Sequence, residues 1–313
     1  MNRFDHLLPH LHAKGVFRGV AQAVEITSGG SGARLLDVTD GDGRYVVKTT
    51  FHSPYIHEER LRSYKREYDF YGLCRNDPVS FAPEIIHLEH HDDFGIVVVM
   101  KHYRPIRRDE WNMPRQLQAV DLCARLASLD VGRLSGMRVT FRDMEIDREF
   151  AGRSCAEWKS VVSRHGYRFD GKHIDRIFNN LDVICPILNA RPHSVCHGDF
   201  HPNNILLDGE KMVLCDWQNV HIGKCAADFS FFLKRGFHFG MEKNKDALFE
   251  HYRDQLPRHA REATSLPVLL KDMHAATVHN SFLFWPYHLA SADFERVQSI
   301  YDGMVHAFEE ITG

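Results

Sequence analysis

The chain has 313 residues, 43% of them hydrophobic and 26% charged, the balance of an ordinary globular protein with room for one large domain or two lobes. A net charge of -3 gives no electrostatic footprint for nucleic acid, and no apolar run approaches the length of a membrane span. The seven cysteines are scattered singly without a Cys-x-x-Cys pair, and the N-terminal residues lack the apolar stretch of a signal peptide, so a reduced, cytoplasmic protein is expected.

Residues 5–14 predict a short helix, and residues 19–26 alternate apolar and polar as a strand does. Ser28-Gly29-Gly30-Ser31-Gly32-Ala33 follows as a glycine-rich turn. Such glycines let backbone N–H groups come close to a phosphate; a flexible surface turn is the alternative. A second strand over 34–38, the hairpin signal Asp40-Gly41-Asp42-Gly43 and a third strand over 45–50 complete the group. Lys48 ends the apolar run Tyr45-Val46-Val47 of that third strand.

Residues 57–74 predict a helix whose buried face carries Leu61, Tyr64, Tyr68 and Tyr71. Glu67 borders that face, whereas Glu58 and Glu59 sit at the helix start, where they complement its dipole. Two more strands are expected over 83–90 and 95–100, the second continuous, apolar and therefore central. Lys101-His102-Tyr103-Arg104-Pro105 breaks the pattern at a hinge. Among the 22 histidines, neither His10 and His12 nor His87, His90 and His91 are completed by Cys or carboxylates at metal-ligand spacing; solvated faces are their expected home.

From about residue 113 the chain turns helical, with a stripe of Leu117, Val120, Ala124 and Ala127. The polar 130–172 stretch gives no clear element and is a candidate insertion near an acceptor site. Residues 173–189 predict one helix through Ile174, Ile177, Leu181 and Ile184. Further helices are expected from residue 226, where Asp228 is the only charge on the leading turn, and over 242–256, 266–282 and 292–311.

Between these helices lies the most informative stretch, Cys196-His197-Gly198-Asp199-Phe200-His201-Pro202-Asn203-Asn204 followed by a hairpin and Asp216-Trp217-Gln218. The Asp208-Gly209 turn joins strands at 205–207 and 212–215, so the hairpin brings Asn204 and Asp216 side by side. Both offer hard oxygen ligands suited to Mg²⁺. Asp199 sits outside the hairpin, where a substrate hydroxyl can approach. A carboxylate that takes a hydroxyl proton, an amide oxygen and a second carboxylate on Mg²⁺ are the acceptor side of a phosphoryl-transfer site.

This His-Gly-Asp loop, with Asn five residues on and Asp a dozen later, resembles the aminoglycoside phosphotransferase and choline kinase superfamily. Asp216-Trp217-Gln218 and Asp228-Phe229-Ser230-Phe231-Phe232-Leu233 look most like its ecdysteroid-kinase-like and choline-kinase-like branch. The resemblance implies an α+β, bilobal, protein-kinase-like fold: a small antiparallel β-sheet lobe with one key helix over 1–103, and a larger, mainly helical lobe over 104–313. It implies ATP and Mg²⁺, with Lys48 on the phosphates and Gly29, Gly30, Ser31 and Gly32 near them. Glu67, from the pattern Glu67-Tyr68-Asp69-Phe70-Tyr71, would pair with Lys48. Backbone groups around Met100 and His102 would meet the adenine edge. Asn204 and Asp216 would hold the metal, and Asp199 would act as the base. His197 would order the loop, and Asp228 would brace it through its backbone, although a helix N-terminal charge is an equal reading. His201 lies near enough to touch substrate or to serve the loop.

The implied acceptor is a small hydroxylated molecule, with neither nucleic acid nor a membrane as partner; no motif speaks to oligomeric state. Phe282-Leu283-Phe284-Trp285-Pro286-Tyr287-His288 reads first as core, yet its aromatic faces can also hold a quaternary ammonium or a flat apolar substrate, which makes Trp285 and Tyr287 candidates. Two other classes remain. An atypical protein kinase is disfavoured by the missing Ala-Pro-Glu segment, and a nucleotide-binding protein without catalysis by the intact Lys48, Asp199, Asn204 and Asp216.

Overall fold

The computed structural model describes residues 4–19, 21–26, 33–41, 43–50, 58–137, 145–166, 169–190, 193–236, 239–256, 258, 261 and 265–313. Gly29, Gly30, Ser31 and Gly32 of the expected phosphate turn lie outside them. The chain forms two compact units. One is Met1–Arg107 with Gly136–Val139 and Asn203–Val220, the other Arg108–Ser135 with Thr140–Pro202 and His221–Gly313.

The first unit starts with helix α1 (Phe4–Ala13) and strands β1 (Gln22–Ile26), β2 (Arg34–Asp40) and β3 (Gly43–Thr49). Helix α2 (Glu58–Asn76) and strands β4 (Ile85–His91) and β5 (Gly95–Lys101) follow. The strands make one antiparallel sheet in the order β1-β2-β3-β5-β4, so β5 is interior, as its continuous apolar run requires. Leu7 and Leu11 of α1 close a core with Phe17, Leu36, Val38, Val47, Phe94, Val97 and Val99. His10 and His87 contact the two oxygens of Glu89 at 2.7 and 3.2 Å, which ties α1 to β4. Successive strand residues face opposite sides, so Lys48 emerges on the face away from Val47, where α2 packs.

The same unit holds the short hairpin of Ile205–Asp208 and Lys211–Leu214. Gly209 turns it at φ +60°, a left-handed value that glycine adopts without a Cβ clash. Arg104–Pro105 pairs with its outer edge through Leu206 and Leu207.

The second unit is mainly helical: α3 (Met113–Ala127), α4 (Arg148–Ser163), α5 (Gly171–Asn179), α6 (Cys185–Asn189), α7 (Cys225–Arg235), α8 (Lys245–Gln255), α9 (Leu266–Leu283) and α10 (Phe294–Thr312). One antiparallel ribbon pairs Ser194–Cys196 with His221–Gly223. Helix α4 occupies the stretch that sequence patterning left unassigned. Asp147 caps it, accepting from the N–H groups of Glu149 and Phe150 at 3.0 Å each. Its buried stripe, Ala151, Cys155, Trp158 and Val162, is mostly small or widely spaced, so charged neighbours mask it in sequence. The Trp158 indole N–H donates to the carbonyls of Ser281 and Phe282 at 3.0 and 3.1 Å, in the last turn of α9, where carbonyls lack a helical partner. The single helix expected over 173–189 is instead α5, a 3-10 turn at Leu181–Ile184, and α6. Asn180 leaves helical geometry at φ -118° and ends α5, and Pro186, which has no N–H to continue the ladder, sits in the first turn of α6. No helix among the described residues is long and apolar enough to cross a membrane.

Candidate active site

In the first unit, β3, α2 and the hairpin bring three charged side chains together. Lys48 Nζ lies 2.9 and 2.8 Å from the two Glu67 oxygens and 2.8 Å from Asp216 Oδ1. The Lys48 and Glu67 side chains are 9% and 3% exposed, and Asp216 remains 33% exposed, so one carboxylate locks the lysine and the other opens to solvent. Burial works against both inner charges. It raises the Glu67 carboxyl above the usual carboxylate range even with Lys48 beside it. It would lower the Lys48 ammonium, but Glu67 and Asp216 outweigh it, and the pKa is raised.

Asp216 owes its place to the hairpin register. Ile205 pairs with Leu214, and the Cys215 N–H donates to the Asn204 carbonyl at 2.9 Å, so Asn204 and Asp216 leave the hairpin as neighbours. Asp216 has φ +66° and ψ +62°, the only positive φ outside glycine among the described residues. Such a conformation costs about 1–3 kcal/mol and persists only where its surroundings impose it. Here Trp217, fully buried, donates its indole N–H to the Leu214 carbonyl at 2.7 Å and stacks on Phe70 of α2 at 3.9 Å and 19°.

In the second unit, the Ser194–Cys196 strand runs into His197-Gly198-Asp199. Its partner, His221–Gly223, leads directly into α7, which sets Asp228 beside the end of that strand. Asp228 accepts the N–H groups of His197 and Gly198 at 2.6 and 2.9 Å. Gly198 has φ +78°, which a side chain would strain. Asp199 donates its own N–H to His197 Nδ1 at 3.2 Å, and its side chain is 31% exposed, with Oδ1 3.4 Å from His201 Nε2. His197 is fully buried.

Burial pushes the Asp228 carboxyl up to about 7, against the two N–H donors that favour its ionised form. The folded pKa lies above the ordinary 3.8, so the native state binds the proton more tightly than the unfolded chain. That stabilisation is present below about pH 4 and is lost as pH rises through about 7. Urea midpoints of the wild-type protein are therefore expected to fall between pH 5 and 8 relative to those of Asp228→Asn. Parallel curves would show that Asp228 does not titrate in that window.

The remaining candidates are placed differently from one another. Met100 is buried in β5 between Val46 and Ile85, and the His102 N–H is donated to the Arg44 carbonyl at 3.0 Å. Trp285 packs into the helical core beneath the Arg296 and Arg235 guanidinium groups, 4.7 and 5.7 Å from its ring centroid. Cations of the chain itself already lie against it. Tyr287 is exposed, its ring parallel to Phe150 at 6.0 Å and its hydroxyl 3.3 Å from Ser154 Oγ. Sequence reading missed the direct Lys48–Asp216 contact, the Phe70–Trp217 stack and a buried ion pair of Lys224 with Asp272 at 3.1 Å. The aromatic pair had a signal, since Phe70 lies one helical turn after Glu67 and Trp217 directly follows Asp216. Lys224 and Asp272 had none.

Asn204 and Asp216 fit a hard divalent cation: an amide oxygen and a partly exposed carboxylate, set as neighbours by the hairpin, with a cationic Nζ already on Asp216. Residues 22–263 match the model of the phosphotransferase enzyme family. No curated protein sequence matches the chain. Among solved structures it is similar to choline kinase from Cryptosporidium parvum Iowa II, at 13% identity and TM-score 0.60 over 98% of this chain and 95% of that one. It is also similar to the ADP-bound aminoglycoside phosphotransferase APH(2'')-Ib, at 16% identity and TM-score 0.57 over 97% and 98% of the two chains. Choline kinase LicA from Streptococcus pneumoniae gives 11% identity and TM-score 0.57 over 99% of both. At such identities the likeness is one of fold.

Proposed function

Because the chain belongs to the phosphotransferase enzyme family, we propose that it is a small-molecule kinase, transferring the γ-phosphate of ATP to a hydroxyl group with Asp199 as base. The observation that carries this reading is Lys48, buried and held between Glu67 and Asp216 with its ammonium raised in pKa. A lysine fixed in this way is a rigid positive charge for phosphate oxygens. The ADP-bound phosphotransferase of the same fold supports nucleotide use.

In this reading Asn204 and Asp216 hold Mg²⁺, which supplies charge neutralisation on the phosphates when bound. Lys48 binds phosphate oxygens, and Glu67 keeps it from swinging away. Asp199 orients the acceptor hydroxyl and takes its proton while the new oxygen–phosphorus bond forms and the bond to the β–γ bridging oxygen breaks. His197, Gly198 and Asp228 keep the Asp199 loop in shape, so the rate advantage comes from positioning and charge. The acceptor is a small hydroxylated molecule. A cytoplasmic setting suits the seven cysteines, which form no disulfide among the described residues.

The test is Mg²⁺-dependent ADP release across choline, amino sugars, sugars, nucleosides and sterols, with a generic protein acceptor beside them. Stimulation by one chemical group identifies the acceptor class. Transfer to protein alone sinks the small-molecule reading in favour of an atypical protein kinase. ATP binding without release under any acceptor points to a nucleotide-binding protein.

A further inference from the structure

His201 is buried, carries no step in the scheme above, and lies against the group proposed as the base. Its Nε2 is 3.4 Å from Asp199 Oδ1. Its ring meets Phe231 of α7 edge-on, at 6.1 Å and 60°. Pro202 follows it, and the residue before a proline is confined to extended backbone. The ring packs against Phe231 on one side and faces Asp199 with Nε2. Asp199 in turn is held at its main chain by His197 Nδ1.

We propose that His201 is a positioning residue for Asp199, donating from Nε2 to Oδ1 so that the exposed remainder of the carboxylate is aimed at the acceptor hydroxyl. An ionised carboxylate only accepts hydrogen bonds, so the contact works with the proton on Nε2. The 3.4 Å separation is longer than a formed bond of about 2.7–3.2 Å, and catalytic hydrogen bonds commonly tighten once substrate binds. Asp228 also bears on Asp199, and it accepts the His197 and Gly198 N–H groups. Nε2–H on Oδ1 fixes the rotation of a carboxylate that His197 anchors only through its backbone. This inference rests on the proposed function, in which Asp199 is the base.

The experiment compares His201→Leu, which removes the donor, with His201→Gln, whose carboxamide N–H reaches a similar distance. With an acceptor in hand, His201→Leu is expected to lower kcat about tenfold to a hundredfold, the range set by misplacing a reacting group. The KM for ATP should change by less than about twofold, because the lost interaction matters only in the transition state. His201→Gln should recover kcat to within about threefold of wild type. Equal kcat in His201→Leu and wild type overturns the proposal, and so does an equal loss in both variants, the mark of a purely space-filling ring. A second arm needs no turnover. In the wild-type protein at pH 8 the ¹⁵N shift of His201 Nε2 should report a protonated nitrogen, and Asp199→Ala should move it. A bare Nε2 or an unmoved signal overturns the contact. If no acceptor stimulates ADP release, the proposed function fails while this arm still decides whether His201 and Asp199 are coupled.

Discussion

Asp199→Asn is expected to lower acceptor-stimulated ADP release by about two to four orders of magnitude, the usual worth of a general base. The substitution keeps the size of the side chain and removes its ability to take a proton. It should leave the loop intact, because Asp228 holds that loop through the backbone N–H groups of His197 and Gly198 and not through the Asp199 side chain. ATP affinity by calorimetry should stay within about twofold, since the charge proposed to bind phosphate is Lys48. A variant with near-normal turnover would remove Asp199 from its role. A variant that loses ATP affinity and turnover together would make Asp199 part of the nucleotide site instead.

Lys48→Met should damage folding as well as catalysis. It leaves Glu67 buried beside Asp216 with no cation between them, and removing one partner of a buried pair costs about 3–5 kcal/mol. Turnover should fall by about a hundredfold or more, the usual cost of deleting one preorganised electrostatic contact. The two effects separate in the double variant Lys48→Met/Glu67→Gln. Neutralising Glu67 removes the unpaired charge, so most of the stability returns while turnover does not. The pH dependence has a defined sign. Burial already raises the Glu67 carboxyl, and loss of Lys48 raises it further, so the folded state of the single variant binds a proton. Its stability deficit is therefore smaller in acid and grows as pH rises through the raised carboxyl pKa. Urea denaturation of the single and double variants at pH 5 and pH 8 checks both claims. A deficit that is the same at both pH values, or unrelieved by Glu67→Gln, would show that Lys48 stabilises through something other than its carboxylates.

The site was more legible than its support because its chemistry is local in sequence. Asp199, Asn204 and Asp216 fall within one short stretch, and a two-strand hairpin with an Asp-Gly turn leaves little freedom in where its ends go. Helix periodicity put Glu67 at the border of its buried face, but its pairing with Lys48 came from the resemblance to the phosphotransferase superfamily and not from spacing. That Lys48 also bonds Asp216 could not be read, because it depends on the left-handed backbone of Asp216, and nothing in a string of letters marks an aspartate with positive φ. Helix α4 was hidden for a different reason: its buried face is built from Ala151, Cys155 and a single Trp158 among charged residues, so its apolar signal is weak although its packing is not. The string around Trp285 read first as core, and Trp285 is core; its other reading, an open aromatic face, does not hold at Trp285, because guanidinium groups from α7 and α10 cover the ring.

The stack of Phe70 on Trp217 bears on how α2 is held. Glu67 lies one helical turn before Phe70, and Asp216 immediately precedes Trp217, so the two carboxylates that hold Lys48 are joined to each other by a pair of aromatic rings 3.9 Å apart. Swinging α2 outward would have to peel apart that stack and separate Glu67 from Lys48 at the same moment. The stack therefore ties the position of α2 to the backbone that carries Asp216.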